Sequence, residues 1–325
     1  MIWSLPKKAL SLWLDFLSEK GALFVPENQG FEPYQGKVFL EGKPRLSIKS
    51  FFLPWREPIL FFESIPGAIP EKISPETKGI IFGVLPCDAK GITLIEKVFK
   101  DDPFFKDRRR HFSLIGFIRE KSEGCFCDAM GVDPFKGEGL DLLVLPGEDS
   151  FLVQVIKKRA LELLPPQARE ASPEEIELFQ KTQVDFKKRA YVSPLWEKLK
   201  KTEVMPLYEA SFWEELSFPC LNCGICTFIC PTCYCFDVQD EVIGKEGIRI
   251  RLPDACMFPL YSQHASGHNP RREPLARFRN RFMHKFKYFL DEYGEPLCVG
   301  CGRCNEACPA GINLWDVLKA MGEVA

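Results

Sequence analysis

Cysteines are scarce in the first two thirds of this 325-residue sequence, and no part of it contains a long apolar run. Residues 1–219 carry Cys87, Cys125 and Cys127, and the other eleven of the fourteen cysteines lie between positions 220 and 308. No apolar stretch approaches the roughly 20 residues that cross a bilayer, so we expect no membrane insertion. The 43 basic and 45 acidic residues nearly balance, which argues against a nucleic-acid-binding protein.

Short motifs for nucleotide binding and for catalysis are also missing from the sequence. Neither GxGxxG nor GxxxxGK[ST] occurs, so neither common kind of phosphate-binding loop is predicted. A flavin can bind without a short motif, so this absence does not exclude one. Nothing resembles a general base or an activated nucleophile, and we therefore predict no catalytic residue.

The amino-terminal stretch has the length of a signal peptide but not its pattern. Asp15 and Glu19 interrupt it, and Leu10, Leu14 and Leu17 recur at helical spacing. These features favour an amphipathic surface helix over a signal peptide. We expect a cytoplasmic protein. The cytoplasm keeps the thiols of its proteins reduced.

An α/β N-terminal domain is predicted for residues 1–205. Apolar runs bounded by turn residues predict buried strands, and a helix-period stretch at 89–100 places a strand–loop–helix unit around Pro86-Cys87-Asp88. Ser172, followed by proline and two acids, predicts the start of a helix that ends near Arg189. The strands are predicted at 79–86, 111–118, 141–147 and, as a hairpin return, 149–158.

Two cysteine runs dominate residues 206–325, predicted as an α-helical ferredoxin-like dicluster domain. The runs CLNCGICTFICP and CVGCGRCNEACP begin at Cys220 and Cys298, and both have the CxxCxxCxxxCP spacing that holds a [4Fe–4S] cluster. The 67 residues between them have helical signatures, which favours helices rather than a short β-rich connection. Further helices are predicted at 274–294 and 312–324.

The spacing of each run also predicts which cysteines share a cluster. Three thiolates on one tight loop reach three corners of a cube, while the fourth starts the following helix and points away, so it binds the other cluster. The predicted ligands are Cys220, Cys223, Cys226 and Cys308 for one [4Fe–4S] cluster, and Cys298, Cys301, Cys304 and Cys230 for the other. Zinc is the alternative metal, but zinc ribbons use isolated CxxC pairs separated by a spacer.

Six cysteines lie outside these eight. Neighbouring loops leave a parallel sheet at the same edge, so Cys87, Cys125 and Cys127 are expected to converge. A third iron–sulfur cluster on these three plus one more cysteine is the hypothesis, and buried packing or a thiol without metal is the alternative. The remaining candidate metal ligands are Cys233, Cys235 and Cys256.

Histidines and a basic segment lie near the cysteine runs. His264 and His268 are candidate ligands, although hydrogen bonding is the commoner role of such residues. His284 is predicted to be structural. Residues 271–287 hold seven Arg or Lys against one Glu. Such a segment is commonly a solvated face, but beside anionic clusters it would neutralise them or bind an acidic partner.

The sequence resembles the iron–sulfur beta subunits of cytoplasmic sulfhydrogenases, which are multisubunit [NiFe] hydrogenases, and the related A subunits of anaerobic sulfite reductases. The resemblance extends from about residue 80 to the end. Segments that carry it are FGVLPCDAKGI (82–92), GCFCDAMGVDP (124–134), CLNCGICTFICPTCYCFDV (220–238), DACM (254–257), SGHNPRREPLARFRNRFMHKFKYF (266–289) and CVGCGRCNEACPAGI (298–312).

The resemblance implies an electron-transfer subunit that works beside a flavin/NAD(P)H-binding subunit, where FAD would lie, and a catalytic subunit of hydrogenase or sulfite reductase type. One alternative function is a stand-alone flavin-dependent reductase of sulfur or polysulfide. A second is a structural role, in which the clusters brace an assembly.

Overall fold

The computed structural model describes residues 1–63, 79–122 and 124–325. Its strands are β1 (Ile2–Pro6), β2 (Ala22–Pro26), β3 (Phe31–Pro33), β4 (Glu57–Glu63), β5 (Gly79–Val84), β6 (Phe112–Phe117), β7 (Leu142–Pro146), β8 (Ser150–Val155), β9 (Arg169–Glu170), β10 (Phe236–Ile243) and β11 (Glu246–Pro253).

The helices lie between and after these strands. They are α1 (Leu10–Lys20), α2 (Lys49–Phe52), α3 (Pro86–Val98), α4 (Pro103–His111), α5 (Pro173–Arg189), α6 (Leu195–Lys201), α7 (Val204–Tyr208), α8 (Phe212–Ser217), α9 (Ile225–Phe228), α10 (Pro274–Met283), α11 (Phe289–Tyr293), α12 (Arg303–Glu306) and α13 (Leu314–Val324). A π-helical turn, His284–Tyr288, joins α10 to α11. Within these described residues, no helix is both long and apolar enough to cross a membrane.

The described residues form two compact units, each with its own packing. Unit 1 contains residues 1–52, 79–192 and 299–301, and unit 2 contains residues 53–63, 193–298 and 302–325. Unit 1 is mixed α/β, and in unit 2 helices make up more of the regular structure than strands.

The sheet of unit 1 has the order β3-β2-β5-β6-β7-β8-β1-β9. Strands β2, β5, β6 and β7 run parallel, and the outer neighbours pair antiparallel. The four strands predicted in this part of the chain are confirmed as β5, β6, β7 and β8, and the predicted helix after β5 is α3. Parallel pairing of β5 with β6 directs the loops that follow them to one edge of the sheet.

The amino terminus contributes a strand as well as the predicted helix. Strand β1 lies between β8 and β9, and α1 buries Trp13, Leu14 and Leu17. The Trp13 indole N–H donates to the carbonyl of Leu163 at 2.8 Å, so its buried polar atom has a partner. The sequence pattern predicted the helix but not β1, because five residues are too few for a clear alternation.

Helix α5 begins where the sequence predicts. The Ser172 hydroxyl accepts the Glu175 N–H, and the Glu175 carboxylate accepts the Ser172 N–H at 2.8 Å. This reciprocal capping box satisfies two amide groups that the first turn would otherwise leave unpaired. The Glu175 carboxylate also accepts hydrogen bonds from Ser4 and Arg169, which attach β1 and β9 to the helix.

Unit 2 contains a three-stranded sheet of order β10-β11-β4 that the sequence analysis did not predict. The insert between the cysteine runs was expected to be helical, but residues 236–253 form an antiparallel hairpin. Strand β10 is exposed along its whole length, so its residues show no buried face. A strand without a buried face lacks the period-2 alternation that identifies strands in sequence.

The helix predicted at 274–294 is confirmed as α10, the π-helical turn and α11, and it ends at Gly294 in the left-handed conformation. Phe278, Phe282 and Phe286 lie along one face and form aromatic contacts with Trp213 and Trp196. This helix is the packing centre of unit 2. Helix α13 confirms the prediction for the carboxyl terminus, where Asn313 caps its first turn.

Candidate metal centre

The two cysteine runs have the same local structure. In each run a glycine in the left-handed conformation, Gly224 or Gly302, precedes a one-turn helix that carries the third cysteine. Cys226 therefore lies in α9 and Cys304 lies in α12. Glycine adopts this backbone conformation without steric cost, which explains the Cys-Gly-x-Cys pattern in both runs.

The fourth cysteine of each run does not start a helix, contrary to the sequence prediction. Cys230 follows α9 and Cys308 follows α12, and each leads through its proline into a turn. The one-turn helix therefore separates the fourth cysteine from the first three. The fourth thiol therefore lies outside the tight loop of the first three, which is also what the predicted helix would have produced.

A cavity in unit 2 is lined by four cysteines that the spacing assigns to one cluster. Three of them, Cys220, Cys223 and Cys226, come from the first run, and Cys308 comes from the second. Cys304, Arg281 and apolar side chains complete the lining, among them Met257, Phe278, Phe282 and Leu314. Apolar walls limit the access of water and lower the local dielectric constant around this cavity.

Backbone amides point at two sulfurs of this cavity. The Asn222 N–H donates to the Cys220 Sγ at 3.5 Å, and the Ile312 N–H donates to the Cys308 Sγ at 3.3 Å. Asn222 holds its amide there with a positive φ of 53°, which is unusual for a residue other than glycine. Such N–H···S hydrogen bonds stabilise negative charge on sulfur.

Arg281 is a buried cation between the two runs. Its Nη2 donates to the carbonyl of Cys226 at 3.3 Å, and its side chain interacts electrostatically with Cys226 and Cys304. Burial alone would lower the pKa of Arg281, but the surrounding sulfurs raise it above its ordinary value. The guanidinium is therefore charged at any physiological pH.

Lys285 is a second buried cation, one turn after Arg281 on the same face. Its Nζ lies 3.4 Å from the Cys230 Sγ, 2.9 Å from the Thr232 hydroxyl and 3.0 Å from the Leu297 carbonyl. Burial alone would lower the pKa of Lys285, but Cys230, Cys233 and Cys298 raise it. The ammonium group keeps its charge beside the fourth cysteine of the first run.

The residues around this cavity fit an anionic metal cluster. Buried charges need compensation, and Arg281 and Lys285 meet cysteine sulfurs rather than carboxylates in the contacts described above. The Arg281 Nε and the Asn222 Oδ1 are buried at the cavity without a hydrogen-bond partner. In residues 1–63, 79–122 and 124–325, no three His, Cys, Asp or Glu side chains are close enough for a single metal ion. Several cysteine sulfurs and a buried guanidinium around one cavity suit an iron–sulfur cluster.

The cysteines of the second run lie in different surroundings. Cys298 interacts electrostatically with Lys285, and Cys304 with Arg281 and Cys230 in unit 2. Burial raises the pKa of the Cys304 thiol. Cys301 is buried, belongs to unit 1, and accepts a hydrogen bond from the Lys43 Nζ on its carbonyl.

Cys233, Cys235 and Cys256 form close pairs rather than one group. Cys233 lies against Cys230, and this contact together with burial raises the pKa of Cys233. Cys235 receives a hydrogen bond from Cys256, which lowers the pKa of Cys235 to about 6 despite its burial. These three residues stay predicted metal ligands.

The N-terminal cysteines converge in unit 1 as expected. Cys87 lies in the first turn of α3, and Cys125 and Cys127 follow β6. Cys125 and Cys127 are hydrogen-bonded to each other, and Cys127 also interacts electrostatically with Cys87. The hydrogen bond from Cys127 lowers the pKa of Cys125 to about 6, with Lys43 and Lys121 contributing.

The histidines have the hydrogen-bonding and packing contacts that are common for such residues. His264 and His268 are exposed, and their rings contact each other with centroids 5.4 Å apart. The His284 Nε2 lies 2.9 Å from the Tyr234 hydroxyl, and burial lowers the pKa of His284 to about 4, with Lys285 adding to the shift.

The basic segment at 271–287 is not a solvated face. Arg277, Arg281, Lys285 and Lys287 are all buried. The sequence pattern allows these charges to neutralise clusters, but it does not single out Arg281 and Lys285. The sequence does contain a pattern that groups these residues. Arg277, Arg281 and Lys285 recur at four-residue intervals and therefore share one helix face.

Comparisons with known proteins agree with this donor set. Residues 219–312 match the family model described as "4Fe-4S dicluster domain", a range that contains both cysteine runs. The chain is 33% identical to sulfhydrogenase 2 subunit beta of Pyrococcus furiosus over 260 residues, which cover 78% of this chain and 76% of that protein. No solved structure matches the chain. It is an iron–sulfur protein of the electron-transfer type with two [4Fe–4S] clusters, and it belongs to the family of sulfhydrogenase beta subunits.

Proposed function

We propose that this chain relays single electrons within a multisubunit oxidoreductase, between a flavin/NAD(P)H-binding subunit and a catalytic subunit. Hydrogenase and sulfite or sulfur reductase are the candidate catalytic activities. The name of the Pyrococcus relative supports the hydrogenase type. The observation that carries the proposal is the cavity that three cysteines of one run and the last cysteine of the other line together.

The cavity supports a site that both runs share, and the motif spacing divides the cysteines into two ligand sets. Cys220, Cys223, Cys226 and Cys308 hold one [4Fe–4S] cluster, and Cys230 with Cys298, Cys301 and Cys304 holds the second. The exchange of fourth cysteines ties the two runs together. We also propose an α-helical ferredoxin-like domain at 206–325, after an α/β domain at 1–205, in a cytoplasmic protein.

Bound clusters of this type supply one-electron transfer without making or breaking covalent bonds to substrate. The protein's own residues hold and tune them. Arg281 and Lys285 place fixed positive charge beside the thiolates, which favours the more negative, reduced state. The amides of Asn222 and Ile312 act in the same direction at Cys220 and Cys308.

Access to the first ligand set is uneven. Cys223 is exposed, whereas Phe278 and Phe282, which also line the cavity, are buried. The edge at Cys223 is therefore where a partner would approach most closely. The buried wall keeps water from the sulfurs that face Arg281.

The main alternative is a stand-alone flavin-dependent reductase of sulfur or polysulfide. In that case the purified chain would retain flavin and reduce polysulfide without other subunits. A relay subunit would lack flavin when it is separated from its partners. The absorbance spectrum of the isolated chain distinguishes the two functions.

A structural role for the clusters is tested separately. Cys223→Ala removes a ligand from the exposed edge of one site. Loss of electron transfer in a complex that still assembles would exclude a purely bracing role. Loss of assembly with normal electron transfer in the residual complex would support it.

Purification of the native complex tests the proposed partners most directly. We expect a flavin-binding chain and a redox-active catalytic chain to copurify with this one. A nickel–iron subunit would identify a hydrogenase, and a sirohaem subunit would identify a sulfite reductase. A chain that purifies alone and is active alone would contradict the proposal.

A further inference from the structure

The parallel sheet of unit 1 brings three cysteines to one edge. Strand β5 ends at Val84 and leads into α3, so Cys87 lies at the amino terminus of a 13-residue helix. Strand β6 pairs parallel with β5 and leads to the segment that carries Cys125 and Cys127. The two segments leave the sheet side by side, which accounts for the interaction between Cys87 and Cys127.

The surroundings of these thiols suit negative charge. The Lys43 and Lys121 ammonium groups both interact electrostatically with Cys125. Cys87 also lies in the first turn of α3, where the helix dipole favours anions. The three thiols therefore have the donor type, the convergence and the charge environment of a metal-cluster ligand set.

The same segment contacts the second cysteine run within unit 1. The Phe126 N–H, between Cys125 and Cys127, donates to the Gly300 carbonyl at 2.8 Å. The Lys43 Nζ donates to the carbonyl of Cys301, the neighbouring residue. A Cβ on Gly300 would lie 2.5 Å from the Phe126 carbonyl oxygen, so only glycine permits this approach.

We propose that Cys87, Cys125 and Cys127 hold a third iron–sulfur cluster, adjacent to the loop of the second cysteine run and with one corner that no cysteine ligates. Within the described residues of unit 1 the one further cysteine is Cys301, which is assigned to the second run, and Cys233, Cys235 and Cys256 belong to unit 2. The inference deepens the proposed relay and rests on it. Transfer to the second run would be a one-electron exchange, in which one cluster is oxidised, the other is reduced and no bond changes.

Iron analysis of the anaerobically purified full-length chain tests the third site. Three clusters give about eleven or twelve irons per chain, depending on whether the open corner keeps its iron, and two give about eight. A corner without thiolate also loses iron readily to mild oxidation with ferricyanide. We therefore expect the paramagnetic signal of an oxidised three-iron cluster after that treatment.

The double variant C125A/C127A locates the site. We expect it to lose three or four irons and the three-iron signal, while the signals of two reducible clusters persist. Met130→Leu, a volume-conserving change at a buried residue of the same segment, is the control and should keep the wild-type iron content.

Each outcome decides the inference. About eight irons in the wild type with two reducible clusters would overturn the third site and leave the relay intact. A folded double variant that keeps all its iron would also overturn it. If the double variant does not fold, the wild-type iron content and oxidised-state signal still decide. A wild type without any iron would overturn both the third site and the relay.

Discussion

The ammonium group of Lys285 lies 3.4 Å from the sulfur of Cys230, and the side chain of Lys285 is 3% exposed. Burying a cation is costly unless an anion compensates it. Cys230 as a cluster thiolate would supply that compensation. The pair therefore links a residue of the basic segment to the fourth cysteine of the first run, two features that are 55 positions apart.

Replacement of Lys285 by methionine should lower the reduction potential of the cluster that uses Cys230. A unit charge a few ångströms away, at an effective dielectric constant of about 20, changes the one-electron potential by on the order of 100 mV. A redox titration followed by electron paramagnetic resonance measures the shift.

Lys287→Met is the matched control, because Lys287 is equally buried but bonds to Asp291 and to the Leu199 carbonyl. It should shift both potentials by clearly less than Lys285→Met shifts the potential of the cluster at Cys230. Equal shifts in the two variants would show that Lys285 has no specific role at the cluster.

The exchange of fourth cysteines predicts which variants share a phenotype. Cys308→Ala and Cys223→Ala should perturb the same paramagnetic signal, because both residues are assigned to one ligand set. Cys230→Ala should perturb the other. If Cys308→Ala instead alters the signal that Cys298→Ala alters, each run holds its own cluster and the exchange is wrong.

Gly300→Ala should destabilise the protein far more than Gly311→Ala. Both glycines have positive φ, so both variants incur about 1–2 kcal/mol of backbone strain. Only at Gly300 would the new Cβ meet backbone atoms, those of Phe126 and Cys127, whereas the space around Gly311 is open. Chemical unfolding under anaerobic conditions compares the two, and equal stabilities would mean that the segment at Phe126 does not contact Gly300 in solution.

Asp141→Ala should destabilise unit 1 by about 2–4 kcal/mol without loss of iron. The buried Asp141 carboxylate accepts the Leu114 N–H at 2.8 Å and forms ion pairs with Lys157 and Arg159. The exposed Asp149 provides the control, and its alanine variant should change the free energy of unfolding by less than about 0.5 kcal/mol. Urea unfolding and iron analysis together check this; iron loss in Asp141→Ala would connect the residue to a cluster.

Much of the fold was predictable because its elements bury regular faces. Strands β5, β6 and β7 are continuous apolar runs between turn residues, and α5 starts with a capping box that is readable as Ser-Pro-Glu-Glu. Strands β1 and β10 were not predicted, for two different reasons. Strand β1 is short, and β10 has no buried face. Their positions depend on partners distant in sequence, β8 and β9 for β1 and β11 for β10.

The cysteines of the candidate site were predictable because each of the two runs is short and continuous in sequence. CxxCxxCxxxCP predicts both the ligands and their spacing, and the structure brings five of these eight cysteines to one cavity. Arg281 and Lys285 could not be assigned, because a basic residue on an amphipathic helix faces either solvent or a buried anion. The choice depends on tertiary packing against Cys226 and Cys230.

A reductive titration of the anaerobically purified chain, with iron and sulfide determined on the same sample, tests the central claim most directly. We predict a brown protein with at least about eight irons per chain, in which at least two clusters each accept one electron reversibly. Colourless protein, or iron that no reductant converts to a paramagnetic state, would contradict the account.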